Sequence, residues 1–312
     1  MRQEHFLSLG PNGFHRIAYT DWGAPSTRHI VVCAHGLTRN SRDFDYLARA
    51  LADRCRVVCM DVVGRGRSDW LARKQGYGFR QYQADAAALI ARVSSSHGLA
   101  RWLDRLRGGG ERSIDWIGTS MGGIIGMLLA AQPGSPIRRL VLNDVGPLIP
   151  WPALVRLKGY ASRGTRFADL AAVERHLREV CASFGPLEDE HWRHLAQHSA
   201  QKTDDGYQLA YDPGITASLW TGADLEMPLG SDLTQGLNLW RVWGDVRAKT
   251  LVLRGAESDV LSAQTARDMQ TRGPGAKVIE LSGIGHAPAL MSAEQIALVR
   301  EFLLDEDPRR EA

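Results

Sequence analysis

Ser120 has the sequence context of a catalytic nucleophile. It stands at the centre of Gly118-Thr119-Ser120-Met121-Gly122, a G-x-S-x-G pattern that follows an apolar run at residues 114–117. A strand that turns into a helix within so few residues presents its central side chain at the apex of a strained turn. The Met121 N–H then lies at a helix N-terminus, where it can stabilise an oxyanion. The pattern therefore predicts attack by Ser120 on a carbonyl carbon.

A serine hydroxyl needs a general base near neutral pH, and histidine suits that role best. Of the ten histidines, His286 follows the last predicted strand and precedes the last predicted helix, and nearby glycines allow its loop to fold over the serine. His286 is therefore the predicted base. His35 follows a different strand and is predicted to begin a turn in which the N–H of Leu37 serves as the second oxyanion donor.

The imidazole in turn needs an acid that orients it and stabilises its charged form. Asp259 follows a predicted strand at 251–253 and precedes His286, which gives the chain order Ser, Asp, His expected for such a sheet. Asp144 follows another predicted strand and is the alternative acid, with Glu257 a weaker third. Chain order favours Asp259, and Asp144 is expected to anchor the entry to an inserted segment.

Three histidines close together raise the question of a metal site. His194 and His198 have the spacing of one helix face, but Leu195 stands where an HExxH motif requires glutamate, and the sequence offers no evident third ligand. The pattern is typical of a solvated helix face, and no metal is predicted.

Alternating strands and helices must position these residues. The predicted strands are the hairpin 6–9 and 14–20 and the apolar runs 30–34, 57–60, 114–117, 140–142, 251–253 and 278–281. One-sided helical patterns separate them, so the fold class is α/β: a mostly parallel central sheet of about eight strands with helices on both faces. Reactive groups of such sheets lie at the carboxyl ends of the strands, where all the residues named above fall.

Residues 147–245 interrupt this alternation. They contain no convincing buried strand, but they have amphipathic helical stretches at 170–180 and 190–198 and five of the nine tryptophans. We interpret them as a helical cap over a core formed by 1–146 and 246–312, with additional outer-layer helices as the alternative. A second insertion, 94–112, has three consecutive glycines and is predicted to be an exposed connection.

Composition excludes several classes of protein. The 312 residues are 44% hydrophobic and carry a net charge of +3, too balanced for a surface that tracks nucleic acid. The longest apolar stretch, 121–131, is shorter than the roughly 20 residues that span a bilayer, and the N-terminus lacks the apolar core of a signal peptide. Four cysteines form no CxxC pair. These features predict a cytoplasmic protein with neither a nucleic-acid partner nor a membrane span, and they leave the oligomeric state open.

Taken together, these residues resemble the α/β-hydrolase superfamily, in its serine-nucleophile esterase and lipase branch with a helical cap. The matching segments are 35–38, 61–69 (D-x-x-G-x-G-x-S-D), 118–123, 253–259 and 285–286. The resemblance covers the whole chain and implies a Ser120–His286–Asp259 triad, Leu37 and Met121 as oxyanion donors, and no cofactor. Serine at position 120 argues against the haloalkane dehalogenase and epoxide hydrolase branches. C–C bond hydrolases and cofactor-free haloperoxidases keep the same triad.

The predicted activity is cleavage of small to medium carboxylic esters through an acyl-enzyme on Ser120, with a small-molecule ester as the partner. Trp151, Trp220 and Trp240 are expected to form apolar walls of the substrate site. Arg39 is expected to hold a substrate carboxylate, as in a short hydroxyalkanoate oligomer, unless it is a surface residue or pairs with Asp43. Lactone hydrolysis, C–C bond hydrolysis and a non-catalytic, receptor-like role are the alternatives.

Overall fold

The computed structural model describes residues 1–95, 112–161, 166–216 and 236–305. Its strands are β1 (Arg2–Gly10), β2 (Gly13–Trp22), β3 (His29–Ala34), β4 (Arg56–Met60), β5 (Ser113–Thr119), β6 (Ile137–Asn143), β7 (Leu148–Pro150), β8 (Arg166–Phe167), β9 (Ala200–Thr203), β10 (Gly206–Leu209), β11 (Gly236–Asn238), β12 (Lys249–Gly255) and β13 (Lys277–Leu281). Its helices are α1 (Asp45–Leu51), α2 (Phe79–Ser94), α3 (Met121–Ala130), α4 (Trp151–Ala161), α5 (Leu170–Val180), α6 (Asp189–Ser199), α7 (Trp240–Asp245), α8 (Ala263–Thr271) and α9 (Ala293–Leu304).

Eight strands form the central sheet, in the order β1-β2-β4-β3-β5-β6-β12-β13. The hairpin β1–β2 and the pair β2–β4 are antiparallel, and every other neighbouring pair is parallel. Because consecutive parallel strands need a crossover, helices lie between them along the chain. The predicted α/β class and the mostly parallel sheet of about eight strands are confirmed.

Side chains that alternate along the inner strands are buried on both faces of the sheet. Val32 and Val58 pack in one apolar cluster with residues of α2 and α3, whereas Val31 and Val57 pack in a second cluster with residues of α1 and α9. Burial on both faces explains why these strands read as continuous apolar runs. Cys33 and Cys59 are buried within β3 and β4.

The chain leaves the sheet after β6 and returns at β12, although these two strands are neighbours. Two predicted helices of this excursion are present as α5 and α6. The segment also contains short strands that the sequence pattern does not indicate: β7 pairs with β11, and β8, β10 and β9 form a small antiparallel sheet. These strands are only two to four residues long, too short for a recognisable alternation of apolar and polar residues.

Two expectations concern segments outside the sheet. Of the predicted insertion 94–112, residues 96–111 lie outside the described residues. Within the described ranges, no helix combines the length and the apolar character that crossing a bilayer requires.

Candidate active site

Ser120 occupies a sharp turn between β5 and α3. Its backbone φ is 52° and its ψ is −115°, a conformation that costs energy for a residue with a side chain. The flanking glycines make the turn possible, because a Cβ on Gly118 would lie 2.2 Å from the carbonyl oxygen of Gly122, and one on Gly122 would lie 2.0 Å from that of Ala34. The turn therefore has the geometry that the G-x-S-x-G pattern predicts.

His286 connects Ser120 to a buried carboxylate. Its Nε2 lies 2.8 Å from Ser120 Oγ, and its Nδ1 lies 2.7 Å from Asp144 Oδ2. Asp144 is fully buried, whereas the His286 side chain is 10% exposed. A hydroxyl, an imidazole and a carboxylate thus form one hydrogen-bonded chain, the arrangement that activates a serine for attack on a carbonyl carbon.

Asp144, not Asp259, is the carboxylate that contacts His286. The backbone N–H of Asp144 donates to the Leu253 carbonyl at 2.8 Å, which ties the end of β6 to β12. Its side chain accepts hydrogen bonds from the Gly255 N–H at 2.9 Å and the Ser258 hydroxyl at 2.6 Å. These donors hold the carboxylate in one orientation beside the imidazole.

The prediction that Asp259 partners His286 is therefore wrong. Asp259 points outward, with about half of its side chain exposed, and accepts hydrogen bonds from Arg156 Nε and Nη2 at 2.7 and 2.8 Å. Glu257, the third possible acid, is exposed. The residue of this loop that turns toward the site is Ser258, and it contacts Asp144 rather than His286.

A loop that begins at His35 packs against Ser120. A Cβ on Gly36 would lie 3.8 Å from Ser120 Cβ, so the following Leu37 is next to the nucleophile. His35 is fully buried: Nδ1 donates to the Gly36 carbonyl at 2.7 Å, and Nε2 accepts from the Val62 N–H at 3.0 Å. Burial lowers the pKa of His35 to about 4, so the neutral ring holds the loop in place.

Arg65 lies beneath this loop and was not singled out from the sequence. It is fully buried, its Nε donates to the Leu37 carbonyl at 2.9 Å, and its Nη2 is 3.5 Å from Met121 Sδ. The guanidinium also stacks on the Tyr82 ring, with 5.0 Å between Cζ and the ring centroid. Arg65 thus touches both residues predicted to supply oxyanion donors. Its place in the D-x-x-G-x-G-x-S-D segment was the available signal.

A cavity of about 110 Å³ opens beside Ser120 and His286. This volume is small beside the several hundred Å³ of a typical drug-sized site, so it fits a short ligand. The inserted segment supplies apolar walls that include Leu157, Val180, Phe184 and Leu195. The chain between β6 and β12 therefore contributes walls to the cavity beside the nucleophile.

The inserted segment also bonds directly to the loop that carries His286. Ser183 Oγ donates to the His286 carbonyl at 2.5 Å, and the Gly285 N–H donates to the Ser183 carbonyl at 2.8 Å. The position of the imidazole therefore depends on the packing of this segment.

The structure places the predicted substrate-binding residues in different environments. Arg39 lines the cavity, but its guanidinium makes two hydrogen bonds to Asp43, at 2.7 and 2.8 Å, which is the pairing that the sequence left open. Trp151 is half-exposed, Trp240 stacks on Arg272, and neither lines the cavity, so these two assignments are wrong. Trp220 lies outside the described residues.

His194 and His198 do not lie on a solvated helix face, because both are half-buried and contact Arg42. Asp45 is close enough to complete a three-ligand set. Arg42 lies among these groups: it donates to Asp45 at 2.8 Å and lies 3.3 Å from Nδ1 of His198. The Arg42 guanidinium already uses acceptors that a cation would need.

Acid is expected to destabilise the fold through two histidines. The pKa of His198 is lowered to about 4, mainly by burial and then by the Arg42 charge, and that of His35 is also about 4. The two histidines take up protons near pH 6.5 in the unfolded chain but only near pH 4 in the folded protein. Their contribution to the unfolding free energy is therefore retained above pH 6.5 and lost as the pH falls toward 4. For His35 alone the loss is on the order of 3 kcal/mol.

The variant His198→Asn tests this expectation, because an amide can accept from Arg42 without titrating in this range. Urea unfolding at pH 7 and pH 5 should give a smaller loss of unfolding free energy for the variant than for the wild type. An identical loss in both proteins would contradict the assignment to His198.

Comparisons with known proteins agree with the fold. The sequence model of the Alpha/beta hydrolase family matches residues 31–298. A 3-hydroxybutyrate-oligomer hydrolase of Cupriavidus necator is 39% identical over 298 residues, 94% of each chain. A 2-(acetamidomethylene)succinate hydrolase of Mesorhizobium japonicum is 26% identical over 258 residues, 82% of this chain and 81% of that protein. The structure of an alpha/beta hydrolase from Novosphingobium aromaticivorans has a TM-score of 0.77 at 34% identity and covers 97% of both chains. With a family match over most of its length, this chain belongs to the alpha/beta hydrolase family.

Proposed function

We propose that this protein is a serine hydrolase that cleaves short, acid-terminated hydroxyalkanoate esters, such as 3-hydroxybutyrate oligomers. The observation that carries the proposal is the position of His286, within hydrogen-bond distance of both Ser120 and the buried Asp144. The small cavity favours short substrates. The 39% identical relative is named for 3-hydroxybutyrate oligomers and the second relative for a succinate derivative, and both names denote carboxylates.

Acylation begins with attack by Ser120 Oγ on the ester carbonyl carbon while His286 Nε2 takes the hydroxyl proton. Asp144 stabilises the imidazolium that forms. The C–O bond then breaks, and His286 returns the proton to the departing alcohol, which leaves an acyl-serine and a free hydroxy acid. Water, deprotonated by the same imidazole, attacks the acyl-serine, and collapse of that intermediate releases the second acid and restores Ser120.

Two backbone N–H groups are proposed to stabilise the tetrahedral oxyanion. Met121 N–H belongs to the first turn of α3, where N–H groups have no acceptor within the helix and the helix dipole favours negative charge. Leu37 N–H lies in the loop packed on Ser120. Such donors act mainly in the transition state, where each contributes roughly 100- to 1,000-fold in kcat.

Replacing Arg65 by methionine is expected to disturb the Leu37 donor. Loss of the guanidinium leaves the Leu37 and Val63 carbonyls without a donor, which destabilises the fold by about 2–4 kcal/mol. The fall in activity should appear in kcat rather than KM, because the oxyanion forms only in the transition state. Urea unfolding measures the loss of stability, and steady-state kinetics on p-nitrophenyl butyrate measure kcat and KM. A folded variant in which only KM changes would refute this role for Arg65.

The substrate proposal is tested with purified protein and the linear dimer of 3-hydroxybutyrate. Release of the monomer is followed by chromatography, alongside a lactone and an amide of matched chain length. We expect the dimer to have the highest kcat/KM of the three. Preference for the lactone, or turnover of the amide alone, would overturn the proposed substrate class.

A further inference from the structure

Arg156 lines the cavity of the nucleophile and has a cationic side chain. It belongs to α4, in the inserted segment, and it lines the same cavity as Ser120 and His286. Its other contact is Asp259, on the loop after β12, which does not line that cavity. The Arg156 side chain therefore contacts both the cavity and a surface carboxylate.

The contact with Asp259 has the geometry of carboxylate recognition. Nε and Nη2 of Arg156 each donate to a different oxygen of Asp259, at 2.7 and 2.8 Å. Two parallel N–H···O bonds from one guanidinium are the arrangement by which arginine selects carboxylates. A carboxylate that enters from the cavity can form the same pair of bonds after Asp259 has been released.

Release of Asp259 costs little free energy. The Arg156 and Asp259 side chains are 50% and 52% exposed, and water solvates a released surface carboxylate. Arg39, the other arginine among the described residues that line the cavity, differs in this respect: its side chain and that of Asp43 are 10% and 19% exposed. Separating that buried pair would leave a carboxylate without its partner in a poorly solvated place.

We propose that Arg156 binds the terminal carboxylate of the substrate, replacing Asp259 as the guanidinium's partner. This inference rests on the proposed function and makes it more specific. In a linear hydroxyalkanoate dimer the free carboxylate lies on the alcohol half of the ester, so Arg156 forms the subsite of the leaving group. The released hydroxy acid keeps its carboxylate on Arg156 until it dissociates and therefore acts as a product inhibitor.

The test compares the 3-hydroxybutyrate dimer with its methyl ester, which has the same scissile bond and no terminal charge. The wild type should prefer the acid. Arg156→Gln should lower the acid-to-ester ratio of kcat/KM by about 10- to 100-fold, and Arg156→Lys should restore part of the ratio, because lysine keeps the charge but loses the two-pronged geometry. Asp259→Asn should raise kcat/KM for the acid, because the competing carboxylate is gone.

Two further variants provide controls. Arg166→Gln removes another exposed arginine of the inserted segment, one outside the cavity that pairs with Asp205, and should leave the ratio unchanged. Arg39→Gln shows whether Arg39, rather than Arg156, binds the substrate carboxylate. If Arg39→Gln abolishes the preference for the acid and Arg156→Gln keeps it, the carboxylate subsite is at Arg39 and the proposal is wrong.

Failure of this inference is distinguishable from failure of the proposed function. A wild type that cleaves both dimers without preference for the acid overturns the role of Arg156 and leaves ester hydrolysis intact. A wild type that cleaves neither dimer overturns the proposed substrate, and calorimetric binding of the dimer acid to Ser120→Ala then decides the inference. The inference is overturned if Ser120→Ala with the additional change Arg156→Gln binds the dimer acid as tightly as Ser120→Ala alone. It is also overturned if Ser120→Ala does not bind the dimer acid.

Discussion

Asp144→Asn is expected to lower kcat by about 10⁴-fold with little change in KM. The asparagine amide would donate to Nδ1 of His286, which leaves the proton on Nε2, so the ring could no longer accept the proton of Ser120. Kinetics on p-nitrophenyl butyrate, a neutral ester, measure the effect without involving a carboxylate subsite.

Two matched variants identify the acid. On p-nitrophenyl butyrate, the fall in kcat caused by Asp259→Asn should be at least a hundredfold smaller than that caused by Asp144→Asn, because Asp259 contacts Arg156 rather than His286. Glu257→Gln, at an exposed position of the same loop, should have wild-type kcat. If Asp259→Asn proved the more damaging variant, the assignment of Asp144 would be wrong.

Ser120→Ala is expected to abolish turnover almost completely, with a loss of about 10⁵- to 10⁶-fold in kcat. Alanine has no nucleophile to offer, whereas the cavity and the oxyanion donors remain. Ser282→Ala, an exposed serine four residues before His286, provides the control and should retain full activity. Substantial hydrolysis by a folded Ser120→Ala variant would show that another group attacks the ester.

Much of the fold could be predicted because the inner strands of the sheet are buried on both faces. The apolar runs that become β3 and β4 are bounded by turn residues, and the helices between them show one-sided apolar patterns. Ser292 caps the N-terminus of α9, with its hydroxyl accepting from the Gln295 N–H, whereas the Gln295 side chain accepts from the Leu290 N–H. The short strands of the inserted segment lack any such pattern, and they form only because partner strands are brought beside them.

The choice of acid could not be made from chain order. Asp144 and Asp259 both follow strands and both lie between Ser120 and His286 in the sequence. What separates them is the order of strands in the sheet, since β6 lies between β5 and β12 and so carries Asp144 next to the nucleophile. That order depends on crossover connections, which local residue patterns do not encode.

The contacts of the buried polar groups around the site could not be predicted either. Ser258 resembles an ordinary loop residue in the sequence, and the D-x-x-G-x-G-x-S-D segment marks Arg65 without indicating its partner. The two partners, Asp144 and Leu37, come from other parts of the chain. Pairings of this kind arise from the tertiary fold and require the coordinates.

The most direct test of the account is to look for the acyl group on Ser120. Purified enzyme is mixed with p-nitrophenyl butyrate and quenched in acid within milliseconds, and the digested peptides are analysed by mass spectrometry. We expect a nitrophenol burst equal to the enzyme concentration and a butyryl group on the peptide containing Ser120, both lost in Ser120→Ala. Steady turnover with no adduct, or an adduct on another cavity residue such as Cys181, would contradict the account.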